Sequence, residues 1–87
     1  MKTFVSKKND NVYHIYDDKI EVITKSGTKR IPLPVDPDNA FYYLSFYDAY
    51  YINNKLYAII TTRDSYDVRL EIDEDVCELT GSPIQTY

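Results

Sequence analysis

Two side chains in this sequence could act as nucleophile and base, Cys77 and His14, and neither sits in a recognisable catalytic context. His14 is the one histidine and lies among Val12, Tyr13, Ile15 and Tyr16, a strand-like run where a histidine is most often a half-buried packing residue with one hydrogen bond. Cys77 is the one cysteine, and a free cysteine with no signature around it is commonly a small buried hydrophobe. Carboxylates are plentiful, but they cluster in turns and on the outer face of a strand, where solvent keeps them ionised. No catalytic residue is assigned, and the chain reads as a non-enzyme. Asp73–Glu74–Asp75 and Asp36–Pro37–Asp38–Asn39 offer oxygen ligands to calcium, yet lack the alternating acids, central glycine and distant glutamate of a calcium loop. No metal or cofactor is expected. Gly27 and Gly81 are the only glycines, so no glycine-rich loop can wrap a phosphate, and a lone cysteine rules out an intrachain disulfide or a cysteine zinc cluster.

The residues with more to offer are tyrosines and acids. Six of the ten tyrosines, Tyr42, Tyr43, Tyr47, Tyr50, Tyr51 and Tyr57, fall within sixteen residues. Several rings must therefore share a face, either as a core wall with hydroxyls at its rim or as an exposed platform for a protein, a sugar or a base. From residue 66 to residue 73, Tyr66, Val68, Leu70 and Ile72 alternate with Asp67, Arg69, Glu71 and Asp73. Asp64, Glu74, Asp75 and Glu78 flank that acidic face, with Arg69 to offset them. One reading is a solvated face with a charged edge that discourages edge-to-edge pairing. The other is a surface complementary to a basic site.

The elements that must hold these residues read as strands. Leu56–Tyr57–Ala58–Ile59–Ile60–Thr61–Thr62 is apolar on both faces and belongs in the middle of a sheet. Asp64–Ser65 turns it into the alternating strand that follows, and Asn53–Asn54 turns Tyr50–Tyr51–Ile52 into it, because asparagine tolerates the left-handed angles of a two-residue hairpin. Before this meander come strands over Lys2–Ser6, Val12–Tyr16, Lys19–Thr24 and Thr28–Ile31, joined by Lys8–Asn11, Asp17–Asp18 and Ser26–Gly27. Asp36–Pro37 could start a helix, but the aromatic run Phe41–Tyr47 favours a strand. Val76–Leu79 reads as a short edge strand, followed by a tail from Thr80 that nothing pins.

At 87 residues the chain is one all-β domain: a first hairpin group over 1–31, a proline-rich connection over 32–37 and a second sheet over 41–79. The expected fold is a small antiparallel meander forming a two-sheet sandwich or a partly open barrel. A faint repeat at a shift of 36 lays Asp17–Asp18–Lys19–Ile20 on Asn53–Asn54–Lys55–Leu56, which would suit two units resembling propeller blades. Two blades cannot close a ring, so several chains would have to assemble.

Charge narrows the partners. Residues 1–35 carry seven basic and four acidic side chains, a balance of +3; residues 36–87 carry three and ten, a balance of −7. A net acidic chain without a basic, aromatic patch is a poor direct binder of nucleic acid. No apolar run spans a bilayer and no apolar segment follows the N-terminal charges, so no membrane is expected and the assigned location is the cytoplasm. The expected function is a small protein-binding module that occludes a basic partner surface, in the manner of immunity proteins, antitoxins or phage inhibitors. Asp67, Glu71, Asp73 and Asp75 would steer and pair with the partner, and Tyr50, Tyr51 and Tyr66 would bury at the centre. The alternative is a self-assembling structural β-module, a homo-oligomer; a carbohydrate-binding module is weakened by the absence of tryptophan.

Overall fold

The computed structural model describes residues 2–35, 42–63 and 66–86. Eight strands follow one another: β1 (Lys2–Val5), β2 (Val12–Ile15), β3 (Lys19–Thr24), β4 (Gly27–Pro32), β5 (Tyr43–Ile52), β6 (Lys55–Thr62), β7 (Asp67–Asp73) and β8 (Glu78–Thr86). They form two antiparallel sheets in sequence order, β1 to β4 (sheet A) and β5 to β8 (sheet B). Each sheet is a meander with the strand count of one propeller blade. The sheets pack against each other as a sandwich and do not close into a barrel.

Alternation decides which face each residue takes. In sheet A, Tyr13 and Ile15 of β2, Ile20 and Val22 of β3 and Ile31 of β4 point inward and are buried. Sheet B answers with Phe46, Leu56, Ala58, Ile60, Val68, Leu70 and Ile72, which are cross-strand neighbours on its inner face. Phe4 of β1 closes the rim by stacking on Tyr13, ring centroids 4.8 Å apart and ring planes nearly parallel. The fully apolar run at 56–62 is indeed an interior strand, β6, between β5 and β7. Ile60 and Val68 form one of its pairs, and neither is exposed.

The turns follow local chemistry. Asn53 and Asn54 both take positive φ, 51° and 67°, the angles of the hairpin that their side chains tolerate. Asp17 and Asp18 form the β2–β3 hairpin, with Tyr16 N donating to Lys19 O at 2.9 Å. The Asp17 carbonyl also accepts from Phe46 N at 2.8 Å, a backbone bond between the sheets. That donor is at the edge of a register shift between Phe46 and Asp48.

Three expectations change. The last turn runs over 74–77 and takes in Val76 and Cys77, so the closing strand starts at Glu78. It runs on to Thr86, and the segment read as a loose tail is a nine-residue edge strand. Thr80–Gly81–Ser82–Pro83 reads as loop because it holds a bulge: β8 pairs Thr80 with Glu71 and then Ile84 with Arg69, and Gly81 at φ 76° and Pro83 fall in the irregular step. The repeat at a shift of 36 is not the structural one, because it lays the third strand of sheet A on the second strand of sheet B. The helix start at Asp36–Pro37 and the turn at Asp64–Ser65 lie outside the described residues.

Ile60→Ala removes a fully buried side chain from the interior strand and leaves a cavity between the sheets. Urea unfolding should show a loss of about 2–5 kcal/mol. A loss under 1 kcal/mol would mean that the sheets are not packed through this face.

Candidate functional site

Each sheet has a second face that the other does not cover. On sheet B the pairing places Tyr50, Tyr57, Glu71 and Thr80 in one row across the four strands, and Asp48, Ile59, Arg69 and Ile84 in the next. Ile59 is only 4% exposed yet does not belong to the cluster between the sheets. It is the centre of a separate apolar patch whose other members, Tyr50 and Ile84, are exposed. The Arg69 guanidinium lies over the Tyr57 ring, 5.1 Å from its centroid, which covers part of the patch with a cation that stacks rather than pairs. Asp67 is one row further along, paired with Thr61 and Thr86.

Glu71 joins this face to an acidic cleft at the end of the sheet. The cleft, about 270 Å³, is lined by Asn54, Lys55 and Leu56 on one side and Glu71, Ile72, Asp73, Glu74 and Asp75 on the other, with Lys8 reaching over from sheet A. Its acids are not bare. Lys55 Nζ is 4.0 Å from Glu71, and Lys8 Nζ is 3.1 Å from Asp75, which holds the Lys8 ammonium above its ordinary value chiefly by that hydrogen bond. Sequence reading left Arg69 as the acids' only counter-charge; Lys8 and Lys55 are added by turns that bring distant residues together. Lys8 and Lys55 are exposed, so a partner's cations can replace them at little cost, whereas Arg69 stacks on Tyr57 with its Nε buried. Among the described residues, no three of His, Cys, Asp and Glu converge as metal ligands.

The candidate residues therefore divide. Tyr50, Asp67 and Glu71 share the open face of sheet B, while Asp73 and Asp75 line the cleft beside it. Tyr66 is half-buried against the core, its carbonyl accepting from Thr62 Oγ1 at 2.6 Å. Tyr51 points to the inner side, where its hydroxyl joins a polar cluster that sequence reading did not anticipate. Ser6 Oγ donates to Glu74 Oε1 at 2.6 Å, and Tyr51 OH donates to the same oxygen at 2.9 Å. Ser6 Oγ in turn accepts from Lys8 N at 3.0 Å and Asn9 N at 3.3 Å, and Tyr51 OH accepts from Lys7 N at 3.0 Å. Asn9 Nδ2 donates to the Glu74 carbonyl at 3.2 Å. A carboxylate only 7% exposed thus clasps the β1–β2 loop of sheet A to the last turn of sheet B.

The Tyr13 hydroxyl lies buried near this clasp without a hydrogen-bond partner. Burial, and then the charge of Glu74, push its ionisation well above the ordinary tyrosine value. His14 and Cys77 do not meet. His14 is on the open face of sheet A, its Nδ1 3.0 Å from Thr3 Oγ1, whereas Cys77 packs in the core between the sheets, its thiol pushed up by burial.

The clasp gives two opposite expectations. Glu74→Ala removes the acceptor of the buried Ser6 hydroxyl and the half-buried Tyr51 hydroxyl and should cost about 1–3 kcal/mol in urea unfolding, while Tyr13→Phe removes only an unpartnered hydroxyl and should be neutral or stabilising. Because the Tyr13 phenol ionises at higher pH folded than unfolded, its contribution is complete below about pH 10 and is lost as the pH rises further. Tyr13→Phe should therefore flatten the alkaline fall in stability; an unchanged slope would contradict this account of the phenol. Comparison of the chain with protein-family models, with curated proteins and with solved structures finds no match.

Proposed function

We propose that this chain is a small intracellular protein-binding module that docks the open face of sheet B onto a basic surface of its partner and occludes it. The observation that carries the reading is the patch around Ile59: a sheet face with exposed Tyr50 and Ile84 on its two outer strands and Asp48, Asp67, Arg69 and Glu71 among them. Interfaces are built in this way, with rigid aromatic and aliphatic anchors in a dry middle and charge at the rim. The acids Asp73 and Asp75 extend the rim into the cleft, where the lysines that now accompany them are loosely held. Tyr50 anchors; Asp67, Glu71, Asp73 and Asp75 steer. Tyr51 and Tyr66 support the sheet from the inner side.

Occlusion fits this arrangement better than turnover, since the acids of the open face and of the cleft beside it are spread along the sheet as a rim. Immunity proteins, antitoxins and phage inhibitors work in this manner, and a cytoplasmic location follows from the reading. A second reading, self-assembly, is favoured by the open face of sheet A, which is also partly apolar.

Reversing Asp67, Glu71 and Asp73 together to lysine should slow association with a partner captured on the wild-type protein by about ten-fold or more at low salt, and should flatten the dependence of the on-rate on ionic strength. Stopped-flow or surface-based kinetics reads both. Unchanged on-rates would remove the electrostatic part of the proposal.

A further inference from the structure

We infer that Arg69 is the recognition residue of the sheet B face, and that the protein partner seats one carboxylate on its guanidinium within an otherwise basic surface. The inference rests on the reading of that face as a docking surface and names what the partner must carry opposite its interior. Three observations carry it.

The first is position. β7 is an interior strand of sheet B, and Arg69 stands on its open side with Ile59 of β6 and Ile84 of β8 as cross-strand neighbours. Asp67 and Glu71 lie two residues away on the same strand and face, and Asp48 lies beyond Ile59 in the same row. Arg69 therefore has acids on three sides.

The second is that it pairs with none of them. Asp48 is 3.1 Å from Lys2 Nζ and Glu71 is 4.0 Å from Lys55 Nζ, so two of the three acids have taken lysines. Among the described residues Arg69 forms no ion pair, and its Nε is buried without a hydrogen-bond partner. A guanidinium offers five N–H donors in a planar fork that matches a carboxylate two at a time. Nothing within the molecule uses that fork.

The third is that the fork is held in place. The guanidinium lies over the half-buried Tyr57 ring, 5.1 Å from its centroid, and such a stack fixes the plane of the group while leaving its edge open. Arg63 also stacks, on Tyr42, but both of those side chains are exposed and lie outside β6. A donor set ordered in advance loses less freedom on binding, and arginine and tyrosine are the residues most often found at the energetic centre of an interface.

These observations specify the partner. A surface that covers Ile59, Ile84 and Tyr50 removes water from Arg69 as well, and a cation buried without a counter-charge is expensive. A wholly basic partner would press its own cation against Arg69. One carboxylate surrounded by lysines or arginines satisfies Arg69 and the acids about it together, so Arg69 rejects basic surfaces that lack the acid. The acids attract; Arg69 selects.

The test titrates two end-blocked synthetic peptides, Lys-Lys-Glu-Lys-Lys and Lys-Lys-Gln-Lys-Lys, into the full chain and reads its nitrogen-15 NMR spectrum. The wild type should bind the glutamate peptide about three-fold or more tighter, although the glutamine peptide carries the larger positive charge, and the glutamate peptide should shift the Arg69 Nε signal further. Arg69→Gln should abolish that preference. Arg69→Lys, which keeps the charge without the fork, should retain only part of it. Acetate at the same concentration should leave the Arg69 signal in place, since it brings no cations to the surrounding acids. Equal binding of the two peptides by the wild type, a preference that survives Arg69→Gln, or an acetate shift as large as the peptide's would each overturn the inference. The two levels of failure are distinct. If both peptides bind equally and Glu71→Lys abolishes the binding, the docking face stands and the carboxylate seat falls; if neither peptide moves the signals of Tyr50, Ile59 or Ile84, both fall.

Discussion

Two sheets have four faces, and packing one sheet on the other covers two. That constraint governs the rest of this molecule. A chain of 87 residues makes two four-stranded meanders and has no helix or further sheet among its described residues to lay over the outside. The inner faces are built mainly of Ile, Val and Leu with Tyr13, Phe46, Ala58 and Cys77 among them, while the outer faces are mixed: Val5, Ile23, Tyr50 and Ile84 stay exposed among charged neighbours. An exposed apolar residue alone needs no explanation. On sheet B, Tyr50 and Ile84 stand exposed on the two outer strands on either side of a buried Ile59, among Asp48, Arg69 and Glu71, and it is this mixed face that the proposed docking uses.

Hydrophobic contact alone would let two such sheets slide, and the Glu74 clasp fixes them. A buried carboxylate that receives two hydroxyl donors, themselves held by three backbone amides, admits one position of the β1–β2 loop against the last turn of sheet B. Positional uniqueness is the use for which buried polar groups are best suited, since their net stabilisation is small and their misplacement is expensive.

The sequence made the interior strand, the alternation of β7 and the Asn53–Asn54 hairpin legible, because each is a local pattern: apolar on both faces, apolar on one, or tolerant of positive φ. It also pointed to the acids that line the cleft. It could not reveal the clasp, whose Ser6 and Glu74 are separated by 68 residues and look, in isolation, like the end of a strand and an ordinary turn residue. It concealed β8 for the opposite reason, since Gly81 and Pro83 are loop signals in a strand that accommodates them in a bulge at the sheet edge. Tyr50 and Tyr51 are adjacent and of one type, and only the register sends one to the open face and the other to the clasp.

The central claim is that sheet B keeps one face dry inside the sandwich and one face free for a partner. Hydroxyl-radical footprinting of the dilute protein, read residue by residue, tests it most directly. Tyr13 and Ile60 should be protected, while Tyr50 and Ile84 should be labelled. Labelling of Tyr13, or protection of Tyr50, would contradict the account.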